Sequence, residues 1–167
     1  MLPLFKALIR PILEYGNSVW CPHKMGDIDN IEDLQRYYTK RIIGLSNFSY
    51  EERLKKLNLP SLSYRRLRGD MIQVFKITHN NYDPLTTKSL FEFAADTKSN
   101  TRTNGYKIIK VFTNTSSYKH FFTNRVVNLW NSLPVHVVEV DSVNTFKCVL
   151  DKHLSLIMYS ARVDYNM

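Results

Sequence analysis

A proline at position 60, between two amphipathic stretches, constrains the fold of this chain more than any other feature. Ser49 opens the first stretch and Glu52 follows three residues later. This is the spacing of a capping box, in which each side chain accepts a hydrogen bond from the other residue's backbone N–H. Because Pro60 disfavours helical dihedral angles at Leu59, the first helix is predicted to end there.

The second helix, over roughly residues 61–79, is predicted to have an apolar face and a basic face. Ser61 or Ser63 can cap its amino end. At about 100° per residue, one side collects Tyr64, Leu67, Met71, Val74, Phe75 and Thr78. The opposite side carries Arg65, Arg68 and Lys76, with Arg66 between the two faces. The apolar stripe is wide enough to be a core face, whereas the basic face is either simply solvated or binds a polyanion.

The distribution of charge favours a polyanionic partner. The 167 residues include 23 Lys and Arg and 15 Asp and Glu, a formal net charge of +8. Residues 49–120 hold thirteen basic and six acidic residues, so +7 of that charge is concentrated there. We predict nucleic-acid contacts from Lys40, Arg41, Lys55, Lys56, Arg65, Arg66, Arg68 and Lys76. For Lys40 and Arg41, a favourable interaction with the carboxyl end of their helix is an equal alternative.

Apolar spacing along the chain predicts a mainly α-helical protein, a small bundle of about five to seven helices. Asp27 or Asp29 is predicted to cap the helix that Gly44 ends, and Ser117 and Ser142 are predicted to cap two later helices. A β-like stretch leaves one short β-hairpin near 106–125 as an open alternative. The predicted divisions are a basic bundle (1–80), a loop or linker (81–116), a C-terminal helical pair (117–158) and a frayed tail (159–167).

The sequence lacks the usual patterns for catalysis and cofactor binding. It has no Gly-rich phosphate loop, no Gly-x-Ser-x-Gly and no His-Glu-x-x-His. Four carboxylates cluster where acidic residues complement a helix dipole: Asp27, Asp29, Glu32 and Asp33. A metal pair of Cys21 and His23 has no further ligand to complete it. We therefore expect no catalytic residue, metal, cofactor or small-molecule substrate.

Cysteine usage and hydropathy indicate the compartment. Cys21 and Cys148 fit neither a zinc spacing nor a disulfide framework, which predicts free thiols in a reducing environment, the nucleus or cytoplasm. No stretch approaches the roughly 20 apolar residues of a membrane span. We therefore expect an intracellular protein without a membrane partner.

Several phrases, in order, carry a family resemblance. They are Leu8-Ile9-Arg10-Pro11-Ile12-Leu13-Glu14-Tyr15, Val19-Trp20, Ile28-Asp29-Asn30-Ile31-Glu32, Leu34-Gln35-Arg36, Ser49-Tyr50-Glu51-Glu52-Arg53-Leu54, Tyr64-Arg65-Arg66-Leu67-Arg68-Gly69-Asp70, Asn124-Arg125-Val126-Val127-Asn128-Leu129-Trp130-Asn131-Ser132-Leu133-Pro134 and Phe146-Lys147. Together they resemble the C-terminal, thumb-side region of reverse transcriptases from non-LTR (LINE-type, jockey-like) retrotransposons.

The resemblance implies a non-catalytic fragment of an RNA-directed DNA polymerase. The family's catalytic aspartates lie in a Tyr/Phe-Ala-Asp-Asp-type palm motif, which this sequence lacks. A thumb-like bundle over 1–80 would bind template RNA or an RNA–DNA duplex through backbone phosphates, and would normally pack on the missing palm and fingers. The alternative function is a helical protein–protein module with a basic face, co-opted by the host.

The first helical stretch leads to a separate expectation. Its apolar residues begin at the first turn, which suggests that the chain starts inside a larger protein. Without the palm on which the family resemblance would pack it, the helix should expose apolar surface near Leu4, Leu8 and Ile12 and promote aggregation.

Overall fold

The structure, a computed structural model, describes residues 2–87, 89–94 and 105–163. In chain order its α-helices are α1 (Leu2–Leu4), α2 (Arg10–Glu14), α3 (Met25–Lys40), α4 (Tyr50–Leu57), α5 (Leu62–Thr78), α6 (Pro84–Thr87), α7 (Ser116–Lys119), α8 (Phe122–Ser132), α9 (Val135–Val138) and α10 (Val143–His153). A π-helical turn, Phe5–Ile9, joins α1 to α2, and a 3-10 turn, Ser155–Ile157, follows α10. The predicted mainly α-helical fold is confirmed.

The chain divides into two compact units. The first comprises Met1–Arg68 together with Leu154–Val163, and the second contains Gly69–His153. Residues of α5 contribute to both units, because the division falls between Arg68 and Gly69. Each unit has buried apolar residues of its own, including Phe5 and Leu54 in the first.

The bend at Pro60 forms as local sequence rules require. Ser49 and Glu52 make the predicted capping box at the start of α4. The helix ends at Leu57, slightly earlier than predicted, because Asn58 takes a left-handed conformation with φ 46°. Its backbone N–H donates to carbonyls of the last turn of α4, a common way to end a helix. Ser61 then caps α5 by accepting a hydrogen bond from the Tyr64 N–H at 3.1 Å.

Other predicted caps are partly confirmed. Ser142 caps α10 through the Thr145 N–H at 3.1 Å. The helix α3 begins at Met25, before either predicted capping aspartate, and Lys24 occupies the N-cap position without a side-chain hydrogen bond. The helix expected to start at Ser117 is interrupted after α7, and α8 begins at Phe122.

Aromatic residues organise the core of the second unit. Phe75 of α5 stacks on Phe146 of α10, with ring centroids 4.3 Å apart, and Trp130 of α8 lies against Phe146 at 6.1 Å. All three rings are at least 98% buried. The predicted core face of α5 is confirmed, since Tyr64, Leu67, Met71, Val74 and Phe75 are fully buried.

The hairpin considered near 106–125 does not form. In the described part of the chain there is no β-strand, and the only pairing is an isolated antiparallel bridge between Phe93 and Ile108. Asn131 of α8 accepts a hydrogen bond from the Ile108 N–H at 3.0 Å and donates one to the Ile108 carbonyl at 2.8 Å. A side chain therefore satisfies backbone groups that a second strand would otherwise have paired with.

The chain returns to the first unit after α10. The Ser61 N–H donates to the Met158 carbonyl at 3.0 Å, and the Val163 N–H donates to Ser63 Oγ at 3.1 Å. Arg162 donates to Asp29 at 2.6 Å, and this hydrogen bond lowers the pKa of that carboxyl. Residues 159–163 are thus held by specific bonds, which differs from the predicted fraying, while 164–167 lie outside the described residues.

The N-terminal helical segment exposes an apolar stripe. Leu4, Leu8 and Ile12 are 63%, 63% and 72% exposed, while Phe5 is buried against Tyr38 with ring centroids 5.2 Å apart. Their four-residue spacing places these side chains in one row. The predicted exposure is confirmed, and a stripe of this kind is a site for association.

We expect the stripe to cause aggregation. The triple variant Leu4→Ser, Leu8→Ser, Ile12→Ser should lower the fluorescence of an apolar-binding dye and reduce light scattering, because it removes contiguous exposed apolar area. Ile43→Ser is the control, since Ile43 is fully exposed but lies outside the stripe. Monodisperse wild-type protein without dye binding would contradict this expectation.

Candidate nucleic-acid interface

The basic face predicted on α5 is largely occupied by internal contacts. Arg65 donates two hydrogen bonds to the Glu14 carboxylate, from Nε to Oε1 and from Nη2 to Oε2, the second at 2.8 Å. Arg10 lies 3.7 Å from the same carboxylate, and burial together with the Arg65 charge lowers the pKa of Arg10. The prediction that Arg65 presents a free charge is therefore corrected, because a bidentate carboxylate pair already satisfies it.

The predicted nucleic-acid contact of Arg66 is also corrected, because this side chain is buried. It is 4% exposed, so its guanidinium does not reach the surface. Its Nε and Nη2 have no hydrogen-bond partner among the described residues, and its charge lies near Glu32, where it opposes the rise in pKa that burial causes. Arg68 is half-buried in the first unit. Lys76, in the second unit, is half-buried with its Nζ 5.8 Å from the Tyr82 ring centroid.

Glu32 is a buried carboxylate that caps α5 from another helix. Its Oε1 accepts from the Leu62 N–H and its Oε2 from the Ser63 N–H, both at 3.1 Å. The Tyr50 hydroxyl donates to the same carboxylate at 2.5 Å. Burial raises the pKa of Glu32, although these hydrogen bonds oppose the shift, and it also raises the pKa of Tyr50. The sequence pattern predicts only that Glu32 complements the dipole of α3.

Side-chain hydrogen bonds join α3 and α4 at two points. Tyr50, at the start of α4, reaches Glu32 in the first half of α3. Arg53, three residues later, donates from Nε to Thr39 Oγ1 at 3.3 Å near the end of α3. Gln35 of α3 also donates from Nε2 to the Pro60 carbonyl at 3.0 Å, just after α4 ends. Arg53 also donates to the Phe48 carbonyl at 2.6 Å, which ties the intervening loop to α3.

The carboxyl ends of α3 and α4 carry four of the predicted basic residues. We call this set the basic end: Lys40, Arg41, Lys55 and Lys56. All four side chains are exposed. In the described part of the chain, no carboxylate oxygen lies within 4 Å of their charged nitrogens. Their charges are therefore available to a partner, in contrast to that of Arg65.

Aromatic rings support two of these cations. The Arg41 guanidinium lies 3.9 Å from the Tyr37 ring centroid, and Lys56 Nζ lies 4.1 Å from that of Phe48. Contacts of this kind contribute about 0.5–1 kcal/mol at exposed positions. They hold each cation over a ring and so reduce its conformational freedom.

Two acidic residues reduce the positive electrostatic potential around the lysines of α4. Glu51 and Glu52 lie in its first turn, four residues before Lys55 and Lys56. Glu52 is engaged with Ser49 in the capping box, and that hydrogen bond, more than the nearby lysines, lowers the pKa of Glu52. At i,i+4 spacing these carboxylates lie one helical turn from Lys55 and Lys56 and offset part of their positive charge.

Metal binding and membrane insertion are the other functions to consider. Among the residues that the structure describes, no group of three His, Cys, Asp or Glu side chains could hold a metal ion. Likewise, none of the described helices combines the length and apolar character needed to cross a bilayer. Of the two tryptophans, Trp130 is buried, whereas Trp20 is 47% exposed and donates to the Tyr15 carbonyl at 2.9 Å.

Comparison with known proteins finds a sequence match over part of the chain. No protein-family model matches the chain, and no solved structure matches it. An uncharacterized protein of Caenorhabditis elegans is 29% identical over 80 residues, which cover 46% of this chain and 38% of the worm protein. The chain thus aligns with well under half of that relative.

Proposed function

We propose that this chain is the non-catalytic, thumb-side C-terminal part of a retrotransposon RNA-directed DNA polymerase. It binds template RNA or an RNA–DNA duplex through backbone phosphates, inside the cell. The observation that carries the proposal is the basic end, where four exposed cations at the carboxyl ends of two helices have no carboxylate partner among the described residues.

Phosphate binding accounts for the basic end better than helix stabilisation alone. Cations in the last turn of a helix do interact favourably with its dipole, and this explains Lys40 and Lys56 individually. It does not by itself account for four exposed cations without a carboxylate partner among the described residues. Phosphates would supply that negative charge, and their neutralisation would release counterions from the nucleic acid.

The proposal predicts a salt-dependent loss of binding. Replacing Lys40, Arg41, Lys55 and Lys56 by Gln should weaken binding to RNA by about 100-fold or more at moderate salt. Four phosphate contacts correspond to a slope of log affinity against log salt of about −3 to −4, and the variant slope should approach zero. Fluorescence anisotropy with a labelled RNA or RNA–DNA duplex, titrated between 50 and 200 mM salt, measures both quantities.

A matched variant separates this site from total charge. Lys24, Lys107, Lys119 and Lys152 are also exposed, and replacing them by Gln removes the same four charges. We expect this control to keep most of the affinity and most of the slope. A flat salt response of the wild type, or equal losses in the two variants, would rule out the basic end as the binding surface.

The exposed stripe of the N-terminal segment favours a second candidate, a helical protein–protein module. Leu4, Leu8 and Ile12 offer an apolar contact row, and the basic end would meet an acidic partner. Within the proposed family the row would instead contact the palm region. Binding of a defined acidic protein that survives nuclease treatment, and that the triple serine variant abolishes, would favour this second function.

A further inference from the structure

The ring of Tyr37 and the guanidinium of Arg41 form a stacked pair on the surface of the first unit. Their separation is 3.9 Å, measured from the Arg41 Cζ to the ring centroid. This is the spacing of direct stacking, closer than the other cation–ring pairs of the described residues. Tyr37 is 49% exposed and Arg41 is exposed, so the pair presents a flat, cationic surface to solvent.

The pair is held by the core behind it. Tyr37 meets Tyr38 edge to face, with centroids 5.6 Å apart, and Tyr38 in turn packs on the buried ring of Phe5 at 5.2 Å. Tyr37 is one turn before Arg41, so the helical backbone fixes their alignment. A side chain that is ordered before binding loses less conformational entropy when a ligand arrives.

From this geometry we infer that the outer face of the Arg41 guanidinium stacks on an unpaired nucleobase, with Lys40 binding an adjacent phosphate. The inference rests on the proposed function and narrows its substrate class to nucleic acid with single-stranded character. Planar guanidinium groups and aromatic rings are the surfaces on which splayed bases stack. In a continuous duplex both faces of each base are already covered by neighbouring bases, so the site would gain only phosphate contacts.

The test compares two single strands of equal charge that differ in their bases, and a duplex compared with them per phosphate. Probes are a 12-nucleotide RNA, an abasic strand of the same length, and a blunt 12-base-pair RNA–DNA duplex, each titrated by fluorescence anisotropy at one salt concentration. We expect the RNA strand to bind roughly 5- to 150-fold more tightly than the abasic strand, the range for stacking of one base. The duplex should bind no more tightly per phosphate than the abasic strand.

Two substitutions remove the stack and keep the charge. Arg41→Lys retains a cation without a planar face, and Tyr37→Leu retains apolar bulk without the ring. Each should abolish most of the difference between RNA and abasic strand and leave the salt slope unchanged. Tyr118→Leu is the control, since Tyr118 is similarly exposed at 53% but belongs to the second unit, and it should change neither quantity.

The outcomes distinguish this inference from the proposed function. Equal affinity of wild type for RNA and abasic strand, with a steep salt slope, overturns the stacking site and leaves phosphate binding intact. Absence of binding to all three probes, or equal binding of polyglutamate and RNA, overturns both. Loss of the base-dependent difference in Arg41→Lys, with an unchanged slope, establishes the stack.

Discussion

Replacing Glu32 by alanine should lower the free energy of unfolding by about 3–5 kcal/mol, because it leaves several buried groups unpaired at once. The Leu62 and Ser63 N–H groups and the Tyr50 hydroxyl would lose their acceptor, and Arg66 would lose its nearby negative charge. Since small domains have only about 5–15 kcal/mol in total, much of the stability would be lost. Urea denaturation followed by far-UV circular dichroism measures the change.

Two comparisons locate the cause of that loss. Asp33→Ala removes a neighbouring but exposed carboxylate of α3 and should cost well under 1 kcal/mol. Tyr50→Phe removes a single hydrogen bond to the carboxylate and should cost about 1.5–3 kcal/mol. If Glu32→Ala were no more destabilising than Asp33→Ala, the capping of α5 by Glu32 would be refuted.

The pH dependence of the same residue has a definite sign. Burial raises the pKa of Glu32 above its ordinary value of 4.5, so the folded chain binds this proton more tightly than the unfolded chain. The stability from this group is therefore greatest below 4.5 and decreases as pH rises through the raised pKa. Glu32→Gln cannot titrate, so the stability of wild type relative to this variant should fall as pH increases from 4 to 7.

A second large loss is expected from Asp70→Ala in the second unit. Arg125 binds Asp70 with two hydrogen bonds, Nε to Oδ2 at 2.9 Å and Nη2 to Oδ1 at 3.1 Å. The side chains are only 6% and 1% exposed, respectively. Removing the carboxylate takes both of these hydrogen bonds from a buried guanidinium, which also donates to the His120 carbonyl at 3.2 Å. We expect a loss of about 3–5 kcal/mol in the free energy of unfolding.

A double variant separates the cost of leaving Arg125 without its carboxylate from the cost of replacing Asp70 itself. Asp70→Leu with Arg125→Met removes both charges and should be markedly more stable than Asp70→Ala, because no buried charge remains unpaired. Glu139→Ala, at an exposed position, is the surface control. Trp130 fluorescence in a Trp20→Phe background reports unfolding of the second unit, since the chain has two tryptophans. Equal losses in the single and double variants would contradict a dominant role of charge.

Features encoded within a few residues of one another were predictable from sequence. The capping box at Ser49 and Glu52 depends on a three-residue spacing, and the cap at Ser142 on another. The buried face of α5 followed from helical periodicity, and so did the exposed row of Leu4, Leu8 and Ile12. Each of these features needs only local geometry and hydropathy.

Features that depend on distant residues were not predictable. Arg65 lies on the polar side of α5 by periodicity, yet it meets Glu14, 51 positions earlier. Glu32 appeared to belong to an acidic helix start, whereas it caps a helix 30 residues later. The one signal that could have suggested it is the Pro60 bend, which brings a new helix start with unpaired N–H groups into the interior.

The candidate site shows the same division between local and distant information. Lys40, Arg41, Lys55 and Lys56 follow from helix periodicity and from charges near helix ends, and they stay predicted binding residues. That they have no carboxylate partner among the described residues, unlike Arg65, depends on the fold, which no local pattern encodes. Local sequence rules therefore predicted more nucleic-acid-binding cations than the folded structure leaves exposed.

The first unit is discontinuous in sequence, and this affects how the protein can be shortened. Residues 154–163 follow Gly69–His153 of the second unit, yet Met158 and Val163 complete the hydrogen bonding around the first turn of α5. A stop codon after His153 would therefore damage the part of the molecule encoded earliest. Dissection into independent fragments would instead require splicing residue 68 to residue 154 through a designed linker.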